Sequence, residues 1–184
     1  MAYLADVDGA AESPHRAAHR LGAWQAAAAV PDVPWLAGHQ LAQRIAVSDL
    51  DWSAVDADPR IARLWQRRGE LLDELARTPH VLTHGDFSAG NLIRSADTTT
   101  VVLDWATLGT GPVGADLASL ALSTFAELLK DYLTGLGDRF HGMDVETGYR
   151  ATLALTGAGR VHWMLSRDMR LPDGYEEFIL SQAP

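Results

Sequence analysis

Three carboxylates and one carboxamide cluster within a third of the chain: Asp86, Asn91, Asp104 and Asp116. Asp86 and Asn91 lie on one loop between two short apolar runs, and Asp104 closes the next β-branched run, Thr100 to Leu103. If the runs opened by Asn91 and closed by Asp104 pair as a hairpin, the two side chains fold toward each other. An amide oxygen beside a carboxylate is a set of hard oxygen donors, of the kind Mg²⁺ prefers. Asp86 sits close by and is not needed as a ligand, so it is free to accept a proton from a hydroxyl. Gly85 and Gly90 permit the tight, unusual backbone such a loop needs.

The surrounding elements follow from period and punctuation. Ser13-Pro14 and Asp58-Pro59 each place a capping residue before a proline, which predicts helix starts at both. The first helix then runs through an Ala-rich stretch to about Ala29, where Pro31 and Pro34 end it. A second is expected over 35–46, followed by a polar connection over 48–58. Ile61, Leu64, Trp65, Leu72 and Leu75 recur at helical spacing, which predicts one amphipathic helix to about Arg77. Residues 80–84, 91–94 and 100–104 are short and apolar or β-branched, with Ser95-Ala96-Asp97 as the turn between the last two. From Asp116 the helical period returns, with further helices expected over 145–167 and 174–181. The fold class is therefore mainly α with a small β-hairpin, in one domain spanning 1–184.

Composition narrows the function. The chain has 184 residues, 47% hydrophobic and 21% charged, which is ordinary globular usage. Lys and Arg number 15 against 24 Asp and Glu, a net charge of −9, so a basic footprint for nucleic acid is absent. No cysteine is present, which excludes disulfides, zinc thiolates and thiol nucleophiles. No signal peptide or membrane-length apolar run is read, and a cytoplasmic protein is expected. His15 and His19 are spaced i, i+4, but no third ligand accompanies them, and a solvated helix face is the simpler reading.

The segments LTHGDFSAGNLI (82–93) and VVLDWATLGTGPVGADLASL (101–120) resemble the catalytic core of aminoglycoside phosphotransferases and the related choline-kinase-like small-molecule kinases. The pattern there is H-G-D-x-x-x-x-N, then D-W or D-F, then G-P-x-x-x-D-L-A. Here it reads His84-Gly85-Asp86 with Asn91, then Asp104-Trp105, then Gly111-Pro112 through Asp116-Leu117-Ala118. The resemblance implies the C-terminal lobe of the protein-kinase-like fold. It implies Asp86 as catalytic base, with His84 as the second catalytic-loop candidate, and Asn91 and Asp104 as metal ligands. Ile93 and Leu103 would lie on the nucleotide side, and Asp116, like His84, would hold the loop by hydrogen bonds. Mg²⁺ and ATP are the implied cofactors. The segment Tyr3–Val7 is similar to the hinge between lobes.

Members of that family also carry an N-terminal β-rich lobe of about a hundred residues, a small domain in itself. No counterpart is read in this sequence, whose single lysine is Lys130. The expectation is a chain truncated to one lobe, in which MgATP-dependent transfer to a hydroxyl is impaired unless another chain completes the cleft. Such an uncovered face, near Ile93, Leu103 and the hinge, would favour a homo-oligomer or a partner protein. The alternative is a one-lobe protein repurposed as a nucleotide-independent cyclase or lyase, or as a partner subunit, in natural-product or modified-peptide biosynthesis. The acceptor would be a small molecule or a peptide.

Overall fold

A computed structural model describes residues 12–94 and 99–184. The expected hinge, Tyr3–Val7, and most of the hairpin turn lie outside the described residues. Eight helices are described: α1 (Pro14–Ala27), α2 (Gln40–Ala46), α3 (Pro59–Gln66), α4 (Arg68–Arg77), α5 (Ala115–Thr124), α6 (Leu129–Leu136), α7 (Gly142–Leu165) and α8 (Tyr175–Gln182). Four short strands accompany them: β1 (His80–Thr83), β2 (Leu92–Arg94), β3 (Thr100–Val102) and β4 (Gly109–Pro112).

The β structure differs from the single expected hairpin. β2 and β3 do form it, with Leu92 opposite Val102 and Arg94 opposite Thr100. β1 instead pairs antiparallel with β4, His80 opposite Pro112 and Thr83 opposite Gly109, in a second two-stranded sheet. β4 reads GTGP, without β-branched bulk apart from Thr110, so propensity gave no sign of it. It is a strand because β1 and the segment at Ala37 lie on either side: Thr110 N–H donates to the Ala37 carbonyl at 2.8 Å.

The helix expected over 58–77 is two. It breaks at Arg67 (φ −81°, ψ 9°). An unbroken helix would put Arg68 on the stripe of Ile61, Leu64 and Leu75. With the break, its guanidinium lies 5.8 Å from the Trp65 ring centroid and donates to the Trp65 carbonyl. The second expected helix is shorter than 35–46, beginning only at Gln40, because 37–39 runs alongside β4.

The core is a continuous cluster of apolar side chains, with α7 at its centre: Val145, Tyr149, Leu153, Ala154 and Ala158 are all fully buried. α1 and α6 cross at small residues. A Cβ on Gly135 would sit 1.9 Å from the His19 carbonyl oxygen, so only glycine permits that approach. α1 is also tied to the hairpin. Glu12, just before it, pairs with Arg16 at 2.7 Å and accepts from the Thr100 hydroxyl at 2.8 Å, while Arg20 donates to that hydroxyl at 2.9 Å. No helix among the described residues is long and apolar enough to cross a membrane.

Candidate active site

The loop from His84 to Asn91 leaves β1 and enters β2 through a 3-10 turn, Ala89–Asn91. α5 holds it at both ends. Near the start of that helix, Asp116 accepts the backbone N–H of His84 at 2.7 Å and of Gly85 at 2.9 Å. Near its end, the Ser123 hydroxyl accepts the N–H of Ala89 at 2.9 Å. Seven residues of helix span about 10 Å and return to nearly the same face, so α5 fixes both the length and the tilt of the loop. Phe87, 4% exposed, drops into the core between the two anchors.

Asp116 is 2% exposed and takes a third donor, Gln25 Nε2, at 3.3 Å. Burial pushes its carboxyl up to about 6, while the His84 and Gly85 N–H groups draw it down. Gln25 Nε2 also donates to the Leu82 carbonyl at 3.0 Å, and its own oxygen receives the Tyr132 hydroxyl. A chain of buried hydrogen bonds thus runs from α6 through α1 to the loop. Gln25 and Tyr132 were not among the expected site residues. The only sequence signal for Gln25 is a long polar side chain on the apolar stripe of an Ala-rich helix.

His84 is wholly buried. Its Nδ1 accepts the Asp86 backbone N–H at 3.2 Å, so the ring proton lies on Nε2 and is donated to the Leu103 carbonyl at 2.8 Å. Trp105 meets the ring edge-on, with centroids 4.8 Å apart. The His84 carbonyl in turn accepts the Thr107 hydroxyl at 2.7 Å, and the Thr107 carbonyl accepts Gln40 Nε2 at 3.0 Å. His84 therefore ties together the two segments that carry Asp86 and Asp104. Gly85 is required at the turn: its φ is 82°, and a Cβ would lie 2.5 Å from the Thr107 carbonyl oxygen.

Asp86 is half-buried. Asn91 Nδ2 donates to its carbonyl at 2.9 Å and to its Oδ2 at 3.1 Å. Asn91 Oδ1 and Asp86 Oδ1 accept no hydrogen bond among the described residues. The Leu103 N–H donates to the Asn91 carbonyl at 2.9 Å, extending the hairpin register and placing Asp104 just beyond Asn91. Asp104 is exposed, adopts a left-handed conformation (φ 58°, ψ 64°) and has no hydrogen-bonded or ionic partner among the described residues. Ile93 and Leu103 are half-buried on the hairpin.

The donor set suits Mg²⁺. Asn91 Oδ1 and the Asp104 carboxylate are hard oxygens without partners among the described residues, and two protein ligands are typical where phosphates and water complete the shell. No group of three or more His, Cys, Asp or Glu that could hold a metal occurs among the described residues, so the site has no all-protein cage.

A helical body with one hairpin, an Asp–Asn loop pinned by a buried histidine and aspartate, and a second aspartate after the hairpin together define the C-terminal lobe of a kinase-like fold. Residues 2–155 match the phosphotransferase enzyme family, and the chain belongs to that family. A comparison with curated proteins finds no match. Among solved structures, a choline/ethanolamine kinase family protein from Mesorhizobium loti superposes with a TM-score of 0.68 at 14% identity, over 98% of this chain and 67% of that one. The choline kinase LicA from Streptococcus pneumoniae gives 0.57 at 13% identity, over 92% of this chain and 61% of that one. LicA in complex with AMP gives 0.59 at 11% identity, over 96% of this chain and 65% of that one. The chain thus spans about two thirds of these solved chains.

Asp86 also borders a cavity of about 1140 Å³, lined by the 37–50 segment, Trp65 of α3, the His84–Asn91 loop, β4, the start of α5 and the C-terminal half of α7.

Proposed function

We propose that the chain is the acceptor-binding and proton-accepting lobe of a phosphotransferase that moves a terminal phosphoryl group from a nucleotide to a small-molecule hydroxyl. The observation that carries this reading is the Asp86 carboxylate. One of its oxygens is oriented by Asn91, the other has no protein partner, and the residue borders a cavity large enough for a small-molecule acceptor.

In this reading Asp86 receives the proton of the acceptor hydroxyl as that oxygen bonds to the terminal phosphorus and the bond from that phosphorus to the bridging oxygen breaks, so that the nucleoside diphosphate leaves. Asn91 holds Asp86 in the orientation that meets the hydroxyl. Asn91 Oδ1 and Asp104 would hold Mg²⁺, which when bound neutralises charge on the phosphates. His84 and Asp116 are positioning residues: His84 bonds backbone groups of both segments, and Asp116 accepts two backbone N–H groups of the His84–Asn91 loop and the Gln25 amide. The AMP complex of LicA supports the use of a nucleotide, and by the family resemblance Ile93 and Leu103 would flank its base.

Calorimetric titration of this chain with MgATP and MgADP tests the reading. Saturable binding that Asp104→Ala weakens at least about tenfold, as expected for loss of a charged ligand, supports it. No heat from either nucleotide up to millimolar concentration removes it for this chain.

A further inference from the structure

The cavity beside Asp86 has a charge opposite to that of the chain. The protein carries a net −9, yet three arginines line this cavity: Arg44 from α2, Arg160 from α7 and Arg167 just beyond α7. None has a carboxylate partner among the described residues. Two carboxylates share the wall, Asp86 and Asp116, and Asp116 is already enclosed by three N–H donors. Only Asp86 remains to meet a ligand.

The aromatic wall points the same way. Trp65 and Trp163 could form the face of a quaternary-ammonium site. Each already carries a guanidinium, Arg68 at 5.8 Å from the Trp65 centroid and Arg167 at 4.8 Å from that of Trp163. Arg167 itself lines the cavity, so a cationic ligand would have to displace like charge to reach the Trp163 face that it covers. Deeper in the same wall, Thr152 is 5% exposed and its hydroxyl has no hydrogen-bond partner among the described residues. A buried hydroxyl without a partner is costly, and a ligand oxygen would satisfy it.

We infer that the acceptor is a hydroxy compound bearing an anionic group, a carboxylate or a phosphate, which Arg44, Arg160 and Arg167 receive while its hydroxyl meets Asp86. This rests on the phosphotransferase reading for the role of Asp86, but not for the anion site itself. Arginine suits such groups because its fork of N–H donors matches two oxygens at once.

The test titrates the whole chain, without nucleotide and at fixed ionic strength, with five probes. D-glycerate and glycerol 3-phosphate are anionic, glycerol is neutral, and choline and kanamycin are cationic. The readout is the Trp163 indole resonance. At least one anion is expected to saturate, at an affinity that falls with added salt, while glycerol and choline do not. The preference between the two anions separates a carboxylate from a phosphate acceptor. R160Q and the exposed pair R44Q/R167Q should each weaken anion binding at least about tenfold, the loss expected for a charge-assisted contact. Saturation by choline or kanamycin but by neither anion overturns the inference. So does anion binding that all three substitutions leave unchanged, or saturation by none of the probes. A parallel MgATP titration separates the two readings. Anion binding without nucleotide binding leaves the site and removes the phosphotransferase reading; nucleotide binding without anion binding does the reverse.

Discussion

Asp116 carries more of the site than its distance from the chemistry suggests. Its carboxylate receives two backbone N–H groups and one side-chain amide, all donors, and the residue is 2% exposed. Asp116→Asn would turn an NH₂ group toward those donors or leave one unpaired. The expected loss is about 3 kcal/mol of folding stability, as for breaking a buried charge-assisted bond, read by urea denaturation. Tyr132→Phe removes the hydroxyl that Gln25 Oε1 accepts and leaves that oxygen buried without a partner. The expected cost is about 1–2 kcal/mol in the same measurement. A loss from Tyr132→Phe as large as that from Asp116→Asn would show that the chain of bonds fails as a unit.

At the scale of elements, α5 works as a ruler under the His84–Asn91 loop, with Asp116 and Ser123 as its two marks. Ser123→Ala frees the Ala89 N–H at the exposed end. The expected stability loss is at most about 1 kcal/mol, with faster amide exchange confined to the loop before Asn91. Gly85→Ala should act differently. It combines a positive φ with a Cβ 2.5 Å from the Thr107 carbonyl oxygen, so the loop must move away from the segment that carries Asp104. The expectation is a loss of roughly 2 kcal/mol or more, together with weaker MgATP binding. Unchanged thermal midpoint and nucleotide titration would overturn that expectation.

Across the whole molecule, one buried and one half-buried group give opposite pH dependences. Asp116, raised to about 6 by burial from an ordinary 3.8, contributes stability that is present below about 4 and lost as pH rises through about 6. His39, held down to about 4 by burial and by the neighbouring His80, has an ordinary value of 6.5. Its contribution is present above 6.5 and lost as pH falls toward 4. Replacing His39 separates them. His39→Asn is expected to lower the stability at pH 7.5 relative to that at pH 5 by about 1 kcal/mol, discounting the full shift because the ring keeps some contact with solvent. Equal differences in the wild type and the variant, by chemical denaturation at both pH values, would show that His39 does not titrate in this window.

The loop from His84 to Asn91, the hairpin after it and most helices were legible in the sequence because their signals are local. His84-Gly85-Asp86, Asn91 and Asp104 sit within 21 residues, and the helical period of 145–167 needs no partner to be read. The pairing of β1 with β4 was not legible, because a GTGP strand exists only through its neighbours. Nor was the break at Arg67, which is set by where the Arg68 side chain can rest. Gln25 and Tyr132 were missed because an amide on α1 and a phenol on α6 become one hydrogen-bonded unit only when helices 107 residues apart pack together. The arginine-lined cavity has the same origin. Its charges come from residues 44, 160 and 167, and a net charge summed along the chain conceals a local excess of the opposite sign. Local covalent order therefore set which chemistry the chain could carry. Long-range packing, which decides what is buried beside what, set which side chains hold the loop in place and what charge lines the cavity beside Asp86.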